Sequence, residues 1–137
     1  MQSILVIDDE PFVREALQRV LSSRSVTVIS VADANAGFAS LRESPADLVI
    51  IDVVLPGTDG AAAIKQIRRD YPDVRIIAIS GGGGFGLPAY RPEAISTRAY
   101  LAACSAAGAD GVLSKPFETG ELRSLINQVL SKKPQPA

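Results

Sequence analysis

Residues 4–11 read Ile4-Leu5-Val6-Ile7-Asp8-Asp9-Glu10-Pro11. Four apolar residues, most of them β-branched, run without interruption and stop at three acids. Such a run is too short for a membrane span and unbroken by polar residues, which fits a strand buried on both faces. Pro11 then suits the first turn of a helix. The same grammar recurs downstream. Leu48-Val49-Ile50-Ile51 ends at Asp52, and Ile76-Ile77-Ala78-Ile79 ends at Ser80. Val26 to Val31 and Gly111 to Leu113 are weaker strand candidates, the latter leading into Ser114-Lys115-Pro116.

Helix-period apolar stripes fill the intervals. Val13, Leu17, Val20 and Leu21 form the first. Ala34, Phe38 and Leu41 form the second, with Asp33 placed to cap it. Ile64 and Ile67 mark the third, opened by Asp59 after a Pro56-Gly57 turn. Ile95, Ala99, Ala102 and Ala106 form the fourth, and Leu122, Leu125, Ile126 and Val129 the fifth. Five strands alternating with five helices predict an α/β fold: a doubly wound, flavodoxin-like (βα)5 unit with one five-stranded parallel sheet and helices on both faces. The expected unit is one domain over 1–131, followed by a short flexible tail over 132–137.

Composition narrows the chemistry. The chain has 137 residues, 47% hydrophobic and 21% charged, which is the make-up of a folded domain. Fourteen basic and fifteen acidic residues leave a net charge of −1, so no excess of positive charge is available to hold a nucleic acid. With no His, triad and imidazole-metal chemistry are excluded, and one cysteine, Cys104, excludes an internal disulfide. No signal peptide or membrane span is expected, which suggests the cytoplasm. Cys104 reads as a small packed residue of an Ala-rich helix. Arg68-Arg69-Asp70 reads as a solvated helix end.

A parallel sheet puts all strand C-termini on one edge, where ligands of open α/β sheets bind. Asp8, Asp9, Asp52, Ser80 and Lys115 would converge there; Glu10 taken alone reads as a helix-start acid. Clustered carboxylates at ~4 Å repel by about 4 kcal/mol per pair at an effective dielectric near 20. A hard divalent cation such as Mg²⁺, together with Lys115, would offset that repulsion.

Ile7-Asp8-Asp9-Glu10-Pro11, the run Asp52-Val53-Val54-Leu55-Pro56-Gly57-Thr58-Asp59-Gly60, Ser80, and Lys115-Pro116-Phe117 together resemble the receiver domain of two-component response regulators. The resemblance spans essentially the whole chain. It implies that Asp52 is the phospho-acceptor. It also implies a Mg²⁺ site made by Asp9, Asp8, Asp52 and the backbone carbonyl of Val54. Ser80 and Lys115 would contact the phosphoryl group, and Pro116 would follow a cis peptide. The implied partners are a histidine kinase or phosphotransfer protein and a downstream protein target, with no nucleic acid or membrane and with room for a phosphorylation-dependent homodimer. The expected protein is a stand-alone regulator rather than an enzyme, assisting only its own phosphoryl transfer and loss.

Two departures from the family pattern stand out. The usual aromatic residue three places before the lysine is Val112 here. The stretch after Ser80, with five glycines among residues 81–86, is longer than usual. A loop over 81–92 is expected to carry the output together with the 93–107 helix, with Phe85, Leu87, Tyr90 and Tyr100 as contact residues and Ser80 and Val112 as switch positions. Gly81, Gly83 and Gly86 fall in G-x-G-x-x-G order, but after the fourth strand, a poor context for a dinucleotide. The competing function is a small Mg²⁺-dependent α/β phosphatase or phosphotransferase. A haloacid-dehalogenase-like phosphatase, however, would want an acid where Val54 stands.

Overall fold

A computed structural model describes residues 2–55, 58–80, 102–115 and 117–132. The strands are β1 (Gln2–Ile7), β2 (Val26–Val31), β3 (Leu48–Asp52), the two-residue β4 (Val54–Leu55) and β5 (Thr58–Asp59), β6 (Arg75–Ser80) and β7 (Gly111–Ser114). The helices are α1 (Pro11–Leu21), α2 (Ala34–Glu43), α3 (Gly60–Asp70), a described helical stretch over 102–107 (α4), and α5 (Thr119–Leu130).

The main sheet has the order β2-β1-β3-β6-β7, and every pairing in it is parallel. Its central strands alternate between two cores, as a period of two requires. Leu5, Ile7, Val49, Ile51, Ile76 and Ala78 face one core, closed by Leu41 of α2, Ile64 and Ile67 of α3, and Cys104 of α4. Ile4, Val6, Leu48, Ile50, Ile77 and Ile79 face the other, closed by Leu17 and Leu21 of α1 and by Leu122, Ile126 and Val129 of α5. The expected doubly wound architecture is therefore present. Strand order reverses between β1 and β3, because the chain first runs outward to β2 and then returns. That reversal opens the crevice in which such sheets bind ligands.

Local chemistry fixes the helix starts. Asp33 accepts the Ala36 amide at 2.8 Å, and Asp59 accepts the Ala61 amide at 3.0 Å, so both expected caps form. Gly60 follows Asp59 closely against the strand-end backbone: a Cβ there would lie 2.6 Å from the Val53 Cα and carbonyl oxygen. Only glycine lets α3 begin so near β3.

Two features differ from the sequence reading. β4 and β5 pair antiparallel, Val54 with Asp59 and Leu55 with Thr58, as a separate two-stranded sheet. Two residues per strand are too few to leave a periodic signal. The turn read at Pro56-Gly57 lies outside the described residues. The second difference corrects the reading of Arg68 as solvated: its side chain is 1% exposed. Its Nε and Nη2 donate to the Gly108 carbonyl, its Nη1 donates to the carbonyls of Pro72 and Val74, and Nη2 also pairs with Asp110 at 2.6 Å. Gly108 has φ +122°, and a Cβ there would lie 3.0 Å from the Arg68 Cγ. Arg69 and Asp70 remain the exposed helix end that was expected.

Candidate functional site

At the end of β1 the backbone of Asp8 is still in the sheet, its amide donating to the Val31 carbonyl at 3.0 Å. The Asp8 carboxylate is 2% exposed and doubly engaged: Oδ1 accepts the Glu10 amide at 2.9 Å and Oδ2 accepts Lys115 Nζ at 3.0 Å. Arg14, one turn into α1, donates Nη1 to the Asp8 carbonyl at 2.7 Å. Asp52, the last residue of β3, is 4% exposed, with Oδ2 at 3.3 Å from the same ammonium. Ser80 ends β6 fully buried, and its carbonyl accepts the Lys115 amide at 2.8 Å. β7 thus delivers Lys115 to the middle of the edge.

Lys115 Nζ touches three carboxylates, Asp8, Glu10 and Asp52, at 3.0, 2.9 and 3.3 Å. Burial works to lower its pKa, but the hydrogen bond it donates to Glu10, the Asp52 charge and the contacts with Asp8 outweigh it and raise the pKa well above the usual lysine value. The ammonium is therefore charged at any physiological pH. Three carboxylates against one ammonium leave an excess of negative charge, which the Arg14 guanidinium at the Asp8 carbonyl offsets only in part.

The expected convergence of Asp8, Asp52, Ser80 and Lys115 on one edge holds. Asp9 does not enter the cluster; it is exposed, whereas one oxygen each of Asp8, Glu10 and Asp52 lies within 4.8 Å of the others. Glu10 occupies the N-cap position of α1, yet its side chain makes no capping bond and turns to Lys115 instead. Its role and that of Arg14 were missed by the sequence reading. No local pattern signalled either role, because Glu10 meets Lys115 and Arg14 meets the Asp8 carbonyl rather than each other. Val54 follows two residues after Asp52 in β4. Val112 sits on β7, 38% exposed. Phe85, Leu87, Tyr90, Tyr100, Pro116 and the Gly81-Gly83-Gly86 pattern lie outside the described residues.

The model of the response regulator receiver domain matches residues 4–127. The chain belongs to the response regulator receiver family. The transcriptional regulatory protein CseB of Streptomyces coelicolor is 31% identical over 129 residues, covering 94% of this chain and 49% of that protein. The crystal structure of the receiver domain of NtrX from Brucella abortus superposes with a TM-score of 0.79 at 25% identity, covering 95% of this chain and 99% of that one. That of the response regulator TrrA from Thermotoga maritima, solved in complex with Mg²⁺ and BeF, gives 0.74 at 29% identity, covering 94% and 99%. The chain spans about half the length of CseB.

Membership makes this chain a receiver of two-component signal transduction, a regulatory unit rather than a conventional enzyme. The phosphatase alternative has no support among these relatives. Receivers take phosphate from histidine kinases and bind Mg²⁺ at an acidic cluster. Among the described residues no helix is long and apolar enough to cross a membrane.

Proposed function

We propose that Asp52 accepts a phosphoryl group from a histidine kinase or phosphotransfer protein, and that this receiver works in the cytoplasm by changing which protein it binds. The observation that carries the reading is the placement of Asp52. It is nearly buried at the strand-order reversal, with one oxygen in contact with the Lys115 ammonium and beside Asp8. A carboxylate so placed is a competent nucleophile toward phosphorus. Its oxygen forms the new bond to phosphorus; the bond from phosphorus to the donor nitrogen breaks, and the donor keeps the electron pair and takes up a proton. In such transfers positioning and charge neutralisation do most of the work.

A pocket of hard carboxylate oxygens with a surplus negative charge fits Mg²⁺. Asp8 and Asp52 of that pocket would hold it, joined by Asp9 from the neighbouring exposed position and by the Val54 carbonyl, and the ion would supply positive charge to the phosphoryl oxygens. Lys115 pairs with one of those oxygens. Ser80, whose backbone already anchors Lys115, donates its hydroxyl to another. The resulting shift at Ser80 passes on to the target-binding residues, with Phe85, Leu87, Tyr90 and Tyr100 as contacts and Val112 in the place of an aromatic switch. The receiver unit ends with α5, at about residue 131. The same groups assist loss of the phosphoryl group to water.

Acetyl phosphate with Mg²⁺ should add a single phosphoryl group, mapped by mass spectrometry to Asp52 and absent in Asp52→Asn. Labelling elsewhere, or sustained turnover of an external phosphate ester, would overturn the reading.

A further inference from the structure

An ammonium has three N–H donors. On Lys115 all three face carboxylates: Glu10 at 2.9 Å, Asp8 at 3.0 Å and Asp52 at 3.3 Å. None is left for an arriving phosphoryl oxygen, so one contact must be surrendered. The three partners are not equally easy to give up. Asp8 is 2% exposed and is also tied to the Glu10 amide, and Asp52 is the acceptor itself. Glu10 is 25% exposed. It stands at the N-cap of α1 without making a capping bond, so a released carboxylate has both water and the positive end of a helix to turn to.

From this geometry we infer that Glu10 is a positioning residue that competes with the phosphoryl group for Lys115, and so limits how readily Asp52 holds phosphate. The inference rests on Asp52 as the acceptor. Glu10 acts twice in the same direction. It occupies the donor that the phosphoryl oxygen needs, and its charge repels the negative charge that arrives. A short neutral or non-acidic residue at position 10 would leave Lys115 held by Asp8 and Asp52, with one proton to offer.

The test uses the whole chain, saturating Mg²⁺ and beryllium fluoride as the phosphoryl mimic, followed by calorimetric titration. Glu10→Gln should bind the mimic more tightly by about threefold or more, in the range that partly exposed ion pairs reach. Glu10→Ala should shift affinity in the same direction, and a merely structural role would not tighten it. Equal or weaker binding in either variant overturns the inference while leaving the acceptor reading intact. Weaker binding would mark Glu10 as part of the cation site instead. Failure of the unsubstituted protein to bind the mimic would remove the acceptor reading, and this inference with it.

Discussion

The sheet buries an ionic cluster at each edge, and the two are balanced differently. At the N-terminal edge, Arg68 offers five N–H donors, and five acceptor contacts meet them: the Gly108 carbonyl twice, the Pro72 and Val74 carbonyls, and Asp110. Asp110 also accepts the Ile76 amide at 2.8 Å. One cation meets one anion. At the C-terminal edge Lys115 meets three carboxylates, and the charges do not cancel. The first cluster is closed and ties the end of α3 to the segments that enter β6 and β7. The second is left anionic, which leaves it dependent on something that brings positive charge. Burial of charge alone therefore does not mark a functional site; surplus charge of one sign does.

The largest effect should come from breaking the closed cluster. Arg68→Met leaves the Asp110 carboxylate and several carbonyls short of donors, and removing one member of a buried pair costs about 3–5 kcal/mol. Urea unfolding at constant slope would measure it. Arg68→Lys should recover only part of the loss, because three donors replace five. A loss below 1 kcal/mol in Arg68→Met would show that the two edges are not as different as their charge balance indicates.

Mg²⁺ addresses the other edge. At ten times its dissociation constant it should stabilise the protein by about 1.4 kcal/mol, raising the melting temperature by a few degrees. The increment should vanish in chelator, shrink in Asp52→Asn and survive in Arg68→Lys. An unchanged increment in Asp52→Asn would detach the cation from this pocket.

How much of this contrast was legible in the sequence follows from what each residue's role depends on. The strands were readable because a strand covered on both faces needs unbroken β-branched runs, as in 4–7, 48–51 and 76–79. Asp33 and Asp59 were readable as caps because capping is local. Asp8, Asp52, Ser80 and Lys115 were readable because a parallel sheet places every strand's exit on one edge. Arg68 was misread because charge was allowed to outweigh position. Ile64, Ile67 and Arg68 stand at i, i+3 and i+4, so the arginine continues the buried stripe, but its charge partner Asp110 and the Gly108 carbonyl lie some forty residues away. Glu10 was misread for a related reason: a helix-start acid satisfies the local rule, and only the arrival of β7 reveals a stronger partner.

The pH dependence sharpens the open edge. Lys115 has a raised pKa in the folded chain, owing to its carboxylate partners. Its contribution to stability is thus fully present below the ordinary lysine value, near 10.4, and is lost as pH climbs toward the higher folded value. Between neutrality and pH 10 the melting temperature should owe no slope to Lys115. Above that, the unsubstituted protein should fall more steeply than Lys115→Met. Parallel alkaline limbs in the two proteins would contradict the assignment.

The smallest effect concerns Cys104, which reports on the closed edge without belonging to it. It lies fully buried in α4, and its carbonyl accepts the Ala109 amide at 3.0 Å, next to the Gly108 carbonyl that Arg68 holds. Burial, followed by the Asp59 charge, pushes its thiol up to about 11. Since the thiolate is the reactive form, a thiol reagent at pH 8 should modify the native protein only through opening of this region. Loosening the Arg68 cluster with Arg68→Lys should speed that labelling severalfold, whereas Asp52→Asn, at the far edge, should leave the rate unchanged. Equal acceleration by both would mean that the edges open together, and that the charge surplus at one is felt by the packing at the other.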